Sequence, residues 1–254
     1  MKNKLLGIVL MVTLLFMTTG CTNTIKLKSK FESSGYHNTT LKFNCEEVAD
    51  AVYYEYDDFI TSTGKVYRAN VSRLFSNDKN CIESSYQNPA VAFAYGRFLY
   101  DSNRKPIAKW NWDKQDFVSY DTEDDLLVAT DLENSDFDYI SINDCEDSEQ
   151  IYIKDNKIYK ENYDKEDLYL GEIPSDETII YMDGALIKTN KNFYSLIETN
   201  EEECHKYVDV KCQYAFVRSE LSDVYDDILF ASQTMVIDSD YNRYERMGCF
   251  NLSE

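Results

Sequence analysis

The sequence predicts an all-β fold built from antiparallel meanders. Three observations predict it: the apolar runs are short and broken by Asn, Asp, Gly and Ser; several runs alternate with period two; and tight-turn pairs join consecutive runs. Successive side chains of a strand point to opposite faces, so alternation marks a strand with one buried face. No convincing long helical periodicity competes with this pattern. The aromatic content, Tyr 21 and Phe 13 against Trp 2, fits β packing with many half-buried phenols.

Taken in order, Asp57-Asp58-Phe59-Ile60 followed by Gly64-Lys65-Val66-Tyr67 reads as strand, turn and strand, and Arg104-Lys105-Pro106-Ile107 is a weaker copy. Ile151 to Lys154, the turn Asp155-Asn156 and Lys157 to Lys160 form a hairpin. The clearest passage is Thr178 to Ile197, where Ile179 to Met182 meets the turn Asp183-Gly184, a pair that tolerates positive φ. Ala185 to Lys188, the polar turn Thr189-Asn190-Lys191 and Asn192 to Ile197 complete a three-stranded meander. Val208, Val210, Cys212, Tyr214 and Phe216 alternate with polar residues and predict one more strand. Asp238-Ser239-Asp240-Tyr241-Asn242 places oxygens at the first, third and fifth positions of a calcium loop. Arg243 and Cys249 occupy the sixth and twelfth, where Gly and Glu belong, so a solvated hairpin turn is expected instead.

An apolar-Tyr step recurs at Tyr67, Tyr159, Tyr194 and Tyr244, at intervals of 92, 35 and 50 residues. With the weaker copy inside the longest interval, the repeat is roughly forty residues, the length of a four-stranded propeller blade. The expected architecture is therefore a small, degenerate β-propeller of about five or six blades, with a β-sandwich or irregular antiparallel sheet as the alternative. Neither the Gly-His and Trp-Asp blade signature nor a repeated Ala-Asp-Thr-Gly-Trp pattern occurs.

The amino terminus carries a different signal. Lys2 and Lys4 precede an apolar run from Leu5 to Met17, and Thr18-Thr19-Gly20 places small residues before Cys21. About thirteen apolar residues reach roughly 20 Å as a helix, short of a bilayer core of about 30 Å, which favours a secretory signal over a resident span. Thr18-Thr19-Gly20-Cys21 resembles the lipobox of bacterial lipoproteins, although Thr18 stands where an aliphatic residue is usual. The resemblance implies cleavage after Gly20, acylation of Cys21, palmitate among the expected acyl groups, and an exported protein held to the membrane by lipid and facing outside the cytoplasm. The expected organisation is a leader over 1–20, Cys21 and a short tether over 21–40, and a single all-β domain over 41–254. In general layout this resembles propeller-bearing lipoproteins.

The net charge is −20 and becomes −22 without Lys2 and Lys4. Such an excess of carboxylates disfavours nucleic acid as a partner. Beyond Cys21, the cysteines Cys45, Cys81, Cys145, Cys204, Cys212 and Cys249 permit up to three disulfides; Cys45 with Cys81 would brace one hairpin unit and Cys204 with Cys212 would close a small loop. Only His37 and His205 are present, too few for a His-rich metal site or a catalytic triad, and neither metal nor cofactor is expected. The acidic clusters Asp121, Glu123, Asp124, Asp125 and Asp144, Glu146, Asp147, Glu149 raise a carboxylate-dependent polysaccharide hydrolase or lyase as the alternative function, with no residue nominated as catalytic. Trp110 and Trp112 flank Asn111 and share a strand face; with Tyr100 and Tyr120 they are the candidate stacking platform for a glycan, although core packing is the favoured reading of the tryptophans. The leading expectation is a membrane-anchored module that binds or scaffolds an envelope protein or surface glycan.

Overall fold

A computed structural model describes residues 26–55, 58–69, 81–122, 128–143, 149–162, 166–198 and 214–246. The first strand, β1 (Tyr36–Lys42), is set aside by the chain until its end. Four complete meanders follow. Blade 1 comprises β2 (Ala51–Glu55), β3 (Asp58–Thr61), β4 (Val66–Ala69) and β5 (Cys81–Glu83). Blade 2 comprises β6 (Phe93–Tyr95), β7 (Phe98–Tyr100), β8 (Pro106–Asn111) and β9 (Asp116–Ser119). Blade 3 comprises β10 (Tyr139–Asn143), β11 (Glu149–Lys154), β12 (Lys157–Lys160) and β13 (Leu168–Glu172), and blade 4 comprises β14 (Ile179–Asp183), β15 (Leu186–Thr189), β16 (Phe193–Glu198) and β17 (Tyr214–Arg218). Blade 5 takes β18 (Ile228–Ala231), β19 (Met235–Asp238) and β20 (Asn242–Arg246) from the end of the chain and β1 from its beginning, in the order β1-β20-β19-β18. The five antiparallel sheets form a ring, a five-bladed β-propeller.

Each blade buries both faces, which explains its apolar content on both pleats. Five buried clusters fill the five blade interfaces. Ile60, Val66, Leu99 and Trp110 join blades 1 and 2, and Tyr95, Tyr100 and Ile140 join blades 2 and 3. Ile153, Leu170, Ile187 and Phe216 join blades 3 and 4, Phe193, Ile228 and Tyr244 join blades 4 and 5, and Tyr54, Phe59, Phe230 and Ile237 close blade 5 on blade 1. Gly171, at φ +142°, lets β13 pass β17 closely, since a Cβ there would sit 3.2 Å from the carbonyl oxygen of Phe216. At the rim between blades 1 and 2, the Asp116 carboxylate accepts from the Ser84 and Ser85 hydroxyls and the Ser85 N–H. Burial pushes the Asp116 carboxyl up, but these hydrogen bonds outweigh it and hold the group below its ordinary range.

Tyrosines tie the inner strands together. The Tyr53 hydroxyl of blade 1 donates to the Ile140 carbonyl of blade 3 (2.5 Å), and Tyr139 of blade 3 donates to Ile179 of blade 4 (3.1 Å). Tyr181 of blade 4 donates to the Ala231 carbonyl and accepts from the Ala231 N–H of blade 5. Because β2 and β14 pack beside one another across the axis, these phenols fill the centre of the ring.

The repeating tyrosines mark equivalent places: Tyr67, Tyr159, Tyr194 and Tyr244 lie on the third strands of blades 1, 3, 4 and 5, and Trp110 lies on the third strand of blade 2. The Asp155-Asn156 turn has both residues at positive φ, 52° and 63°. The next predicted turn is displaced by one residue: Asp183 pairs with Leu186, so the loop is Gly184-Ala185, with Gly184 at φ +41°. The segment 21–40, read as a tether, is largely part of the fold. Residues 26–33 are helical, and Tyr36–Lys42 pairs with β20, because Phe31 and Tyr36 fill the interface of blades 4 and 5. Of the strand expected from Val208 to Phe216, the described part begins at Tyr214. Asp238 to Asn242 forms the β19–β20 turn, where the buried Asp238 carboxylate accepts from the N–H groups of Asp240 and Asn242.

Candidate functional site: the axial mouth

The inner strands β2, β6, β10 and β14 begin at one end of the ring, and there they surround a cavity of about 260 Å³. Tyr53, Phe93, Phe137 and Tyr139 give it aromatic walls, and Arg104 and Asp138 are its charged groups. Arg104 reaches it from the β7–β8 turn. That turn is set by Asp101, whose carboxylate accepts from the N–H groups of Asn103 and Lys105, and it holds Arg104 at φ +64°, an unusual conformation for a residue with a Cβ. The guanidinium lies 4.4 Å over the Phe137 ring and donates to the carbonyls of Ser135 and Phe137. Asp138 is fixed from its other side by the Asp155 N–H, 2.9 Å away. Burial, and then the charge of Asp138, push the Tyr139 phenol above its ordinary range, so it remains a donor at neutral pH.

This arrangement can stack a flat or weakly polar ring and hydrogen-bond its edges. It has one carboxylate among its lining residues, whereas acid–base hydrolysis of a glycoside needs two facing each other. A second, larger cavity of about 520 Å³ runs between blades 2 and 3 and is lined by Asp131, Asp136, Glu161 and Asp167. Three of these are engaged: Asp131 accepts from the Glu133 N–H at 3.2 Å, Asp136 pairs with Lys154, and Asp167 accepts from the Tyr152 hydroxyl at 2.6 Å and the Asn162 N–H.

The four aromatic residues proposed as a platform do not share one surface. Trp110 is buried between blades 1 and 2 beneath the Arg68 guanidinium, 3.6 Å from the ring centroid, and Arg68 is itself paired with buried Asp58. Tyr100 is fully buried and stacked on Phe93, and Tyr120 packs edge-on to Phe98. Trp112 follows the end of β8, 61% exposed, at 6.3 Å from Trp110 and with Arg97 beside it. Trp110→Ala is therefore expected to cost about 3–5 kcal/mol of stability in urea unfolding, and Trp112→Ala less than about 0.5 kcal/mol. Equal effects would show that the burial difference is wrong.

Cys45 and Cys81 form a disulfide with Cα atoms 5.6 Å apart. Glu47 lies against it, with Oε2 at 3.6 and 3.8 Å from the two sulfurs. The trio has the closeness of a metal site, but both sulfurs are spent on each other. Cys21, Cys145, Cys204, Cys212, Cys249 and His205 lie outside the described residues, as do Glu123, Asp124, Asp125, Asp144, Glu146 and Asp147. His37 is an exposed residue of β1, and Asp121 and Glu149 stand at the ends of the β9–β10 and β10–β11 connections.

Sequence reasoning missed Arg104 and Asp138. The only local hint was an Arg at the tip of an Asp-Ser-Asn turn; the partners that make it a site come from other blades. Compared with known protein families, curated proteins and solved structures, the chain matches none.

Proposed function

We propose that the protein is an exported lipoprotein, held to the bacterial membrane through acylated Cys21, whose ring binds a surface glycan by a sugar residue seated in the axial mouth. The observation that carries the binding reading is the mouth itself: aromatic walls, one fixed guanidinium and one fixed carboxylate around a volume suited to a single ring. Aromatic faces pack against the C–H face of a sugar while charged side chains bond its hydroxyls. The Cys45–Cys81 disulfide supports an exported setting, because such bonds persist in oxidising compartments. No helix among the described residues is long and apolar enough to cross a membrane, so lipid at Cys21 is the anchor this reading relies on.

The test is a glycan array followed by calorimetry, using the full exported chain with Cys21→Ser. Arg104→Ala should weaken binding by about 10- to 100-fold, the loss expected for a charge-assisted hydrogen bond, while leaving the β-type circular dichroism unchanged. No saturable binding across the array, or equal binding by the variant, would sink the glycan reading. Capture of an envelope protein would then become the next experiment.

A further inference from the structure

Lys188 sits in β15 with Tyr181 of β14 on one side and Phe193 of β16 on the other, each directly opposite it in the strand register. Opposed residues share a sheet face, so the two rings bracket the amine. Tyr225, from the 3-10 helix Glu220–Asp227, supplies a third ring, and its hydroxyl is pinned on the Thr189 carbonyl at 2.6 Å. Lys188 Nζ lies 5.7, 5.6 and 5.5 Å from the centroids of Tyr181, Phe193 and Tyr225.

These ring faces are its only partners among the described residues. Lys30, Lys65, Lys154 and Lys191 each have a carboxylate, but Lys188 has none, and no hydrogen-bond acceptor takes its protons. The side chain is half-buried, yet Nζ is absent from the sealed, unsatisfied atoms and so keeps contact with solvent. Burial pulls its pKa below the ordinary lysine range, with no compensating acid. The two facing phenols cannot supply one, because burial first, and for Tyr225 also the charges of Asp226 and Glu177, push both upward. A desolvated amine that reaches solvent without an ion-pair partner is the condition under which lysine acts as a nucleophile.

We propose that Lys188 is a covalent capture site for small carbonyl compounds, which it binds as a reversible imine within the Tyr181–Phe193–Tyr225 cage. The lone pair of the neutral amine attacks the carbonyl carbon, the carbonyl oxygen takes up protons and leaves as water, and a C=N bond replaces C=O. Nothing is oxidised or reduced, and hydrolysis reverses the step. The protonated imine is still a cation, so the three ring faces that hold the ammonium also hold the adduct.

The test treats the full exported chain carrying Cys21→Ser with limiting glycolaldehyde and cyanoborohydride at pH 7, which fixes each imine as a secondary amine. Peptide mass spectrometry then compares Lys188 with the exposed Lys105 and Lys157. Lys188 should be labelled several-fold faster, since burial that pulls its pKa below the ordinary lysine range leaves more of the amine free at pH 7. Tyr225→Ala, which opens the cage to water, should bring its rate down toward that of Lys157. Labelling of Lys188 no faster than Lys157 would overturn the proposal, and so would a rise in rate on Tyr225→Ala, because the native amine would then be shielded rather than reactive.

Discussion

A chain that begins after Lys42 should lose its cooperative unfolding transition. Blade 5 would keep three strands and lose its outer one, and with it the partner of β20 over Tyr36 to Lys42. The same deletion removes Phe31 and Tyr36, buried between blades 4 and 5, where Phe31 meets the Tyr244 ring at 4.5 Å and the Tyr36 hydroxyl donates to the Ser232 carbonyl. Burial of two large side chains is worth about 3–6 kcal/mol, a large part of the roughly 5–15 kcal/mol that a domain commands, before the lost ladder bonds are considered. It also leaves β20 as an unpaired edge, a template for association. Thermal melts by circular dichroism with size-exclusion chromatography would read both effects. A synthetic peptide spanning residues 26–44 should restore the transition by strand addition. A monomeric truncated chain with a sharp, unchanged melt would show that β1 is dispensable.

The second large effect concerns the Cys45–Cys81 bond, which encloses a separation of 36 residues. β5 is a three-residue outer strand, and Cys81 at its start is tied to Cys45, on the stretch that leads from blade 5 into blade 1. Chain-entropy reasoning for a loop of this length gives about 4 kcal/mol. Replacing both cysteines with Ala should therefore lower the melting temperature by about 8–16 °C, using roughly 2–4 °C per kcal/mol for a chain of this size. Calorimetry of the oxidised protein, the reduced protein and the double variant would check it, the last two melting together. A drop of under about 2 °C would mean that the reduced ring is held as firmly by packing alone.

How much of this was legible depended on the distance over which each feature is encoded. Period-two alternation and turn chemistry are local, so the hairpins around Asp155-Asn156 and Gly184 could be read within a residue. The tyrosine repeat was legible because it falls on the third strand of four blades, and Tyr67, Tyr194 and Tyr244 each fill a blade interface there. β1 was not, since Tyr-His-Asn-Thr-Thr-Leu-Lys is a polar edge strand whose partner lies at the far end of the chain. The mouth was hidden for the same reason: four inner strands and one turn contribute to it, and none carries a motif alone. The adjacency of Trp110 and Trp112 was visible, but which one is buried depended on Arg68 and Val66 of another blade.

The pairing of β1 with β20 has a temporal consequence. Synthesis delivers Tyr36 to Lys42 before the other described strands and Asn242 to Arg246 after them, so the two halves of that ladder are separated by about 200 residues of production. Blades 1 to 4 can assemble in order as they emerge, whereas β1 must wait, with closure of a loop of about 200 residues costing about 5 kcal/mol of chain entropy. Docking of β1 is then the final and slowest step of assembly, and until it happens the hairpin of β19 and β20 offers an open edge to any other extended chain.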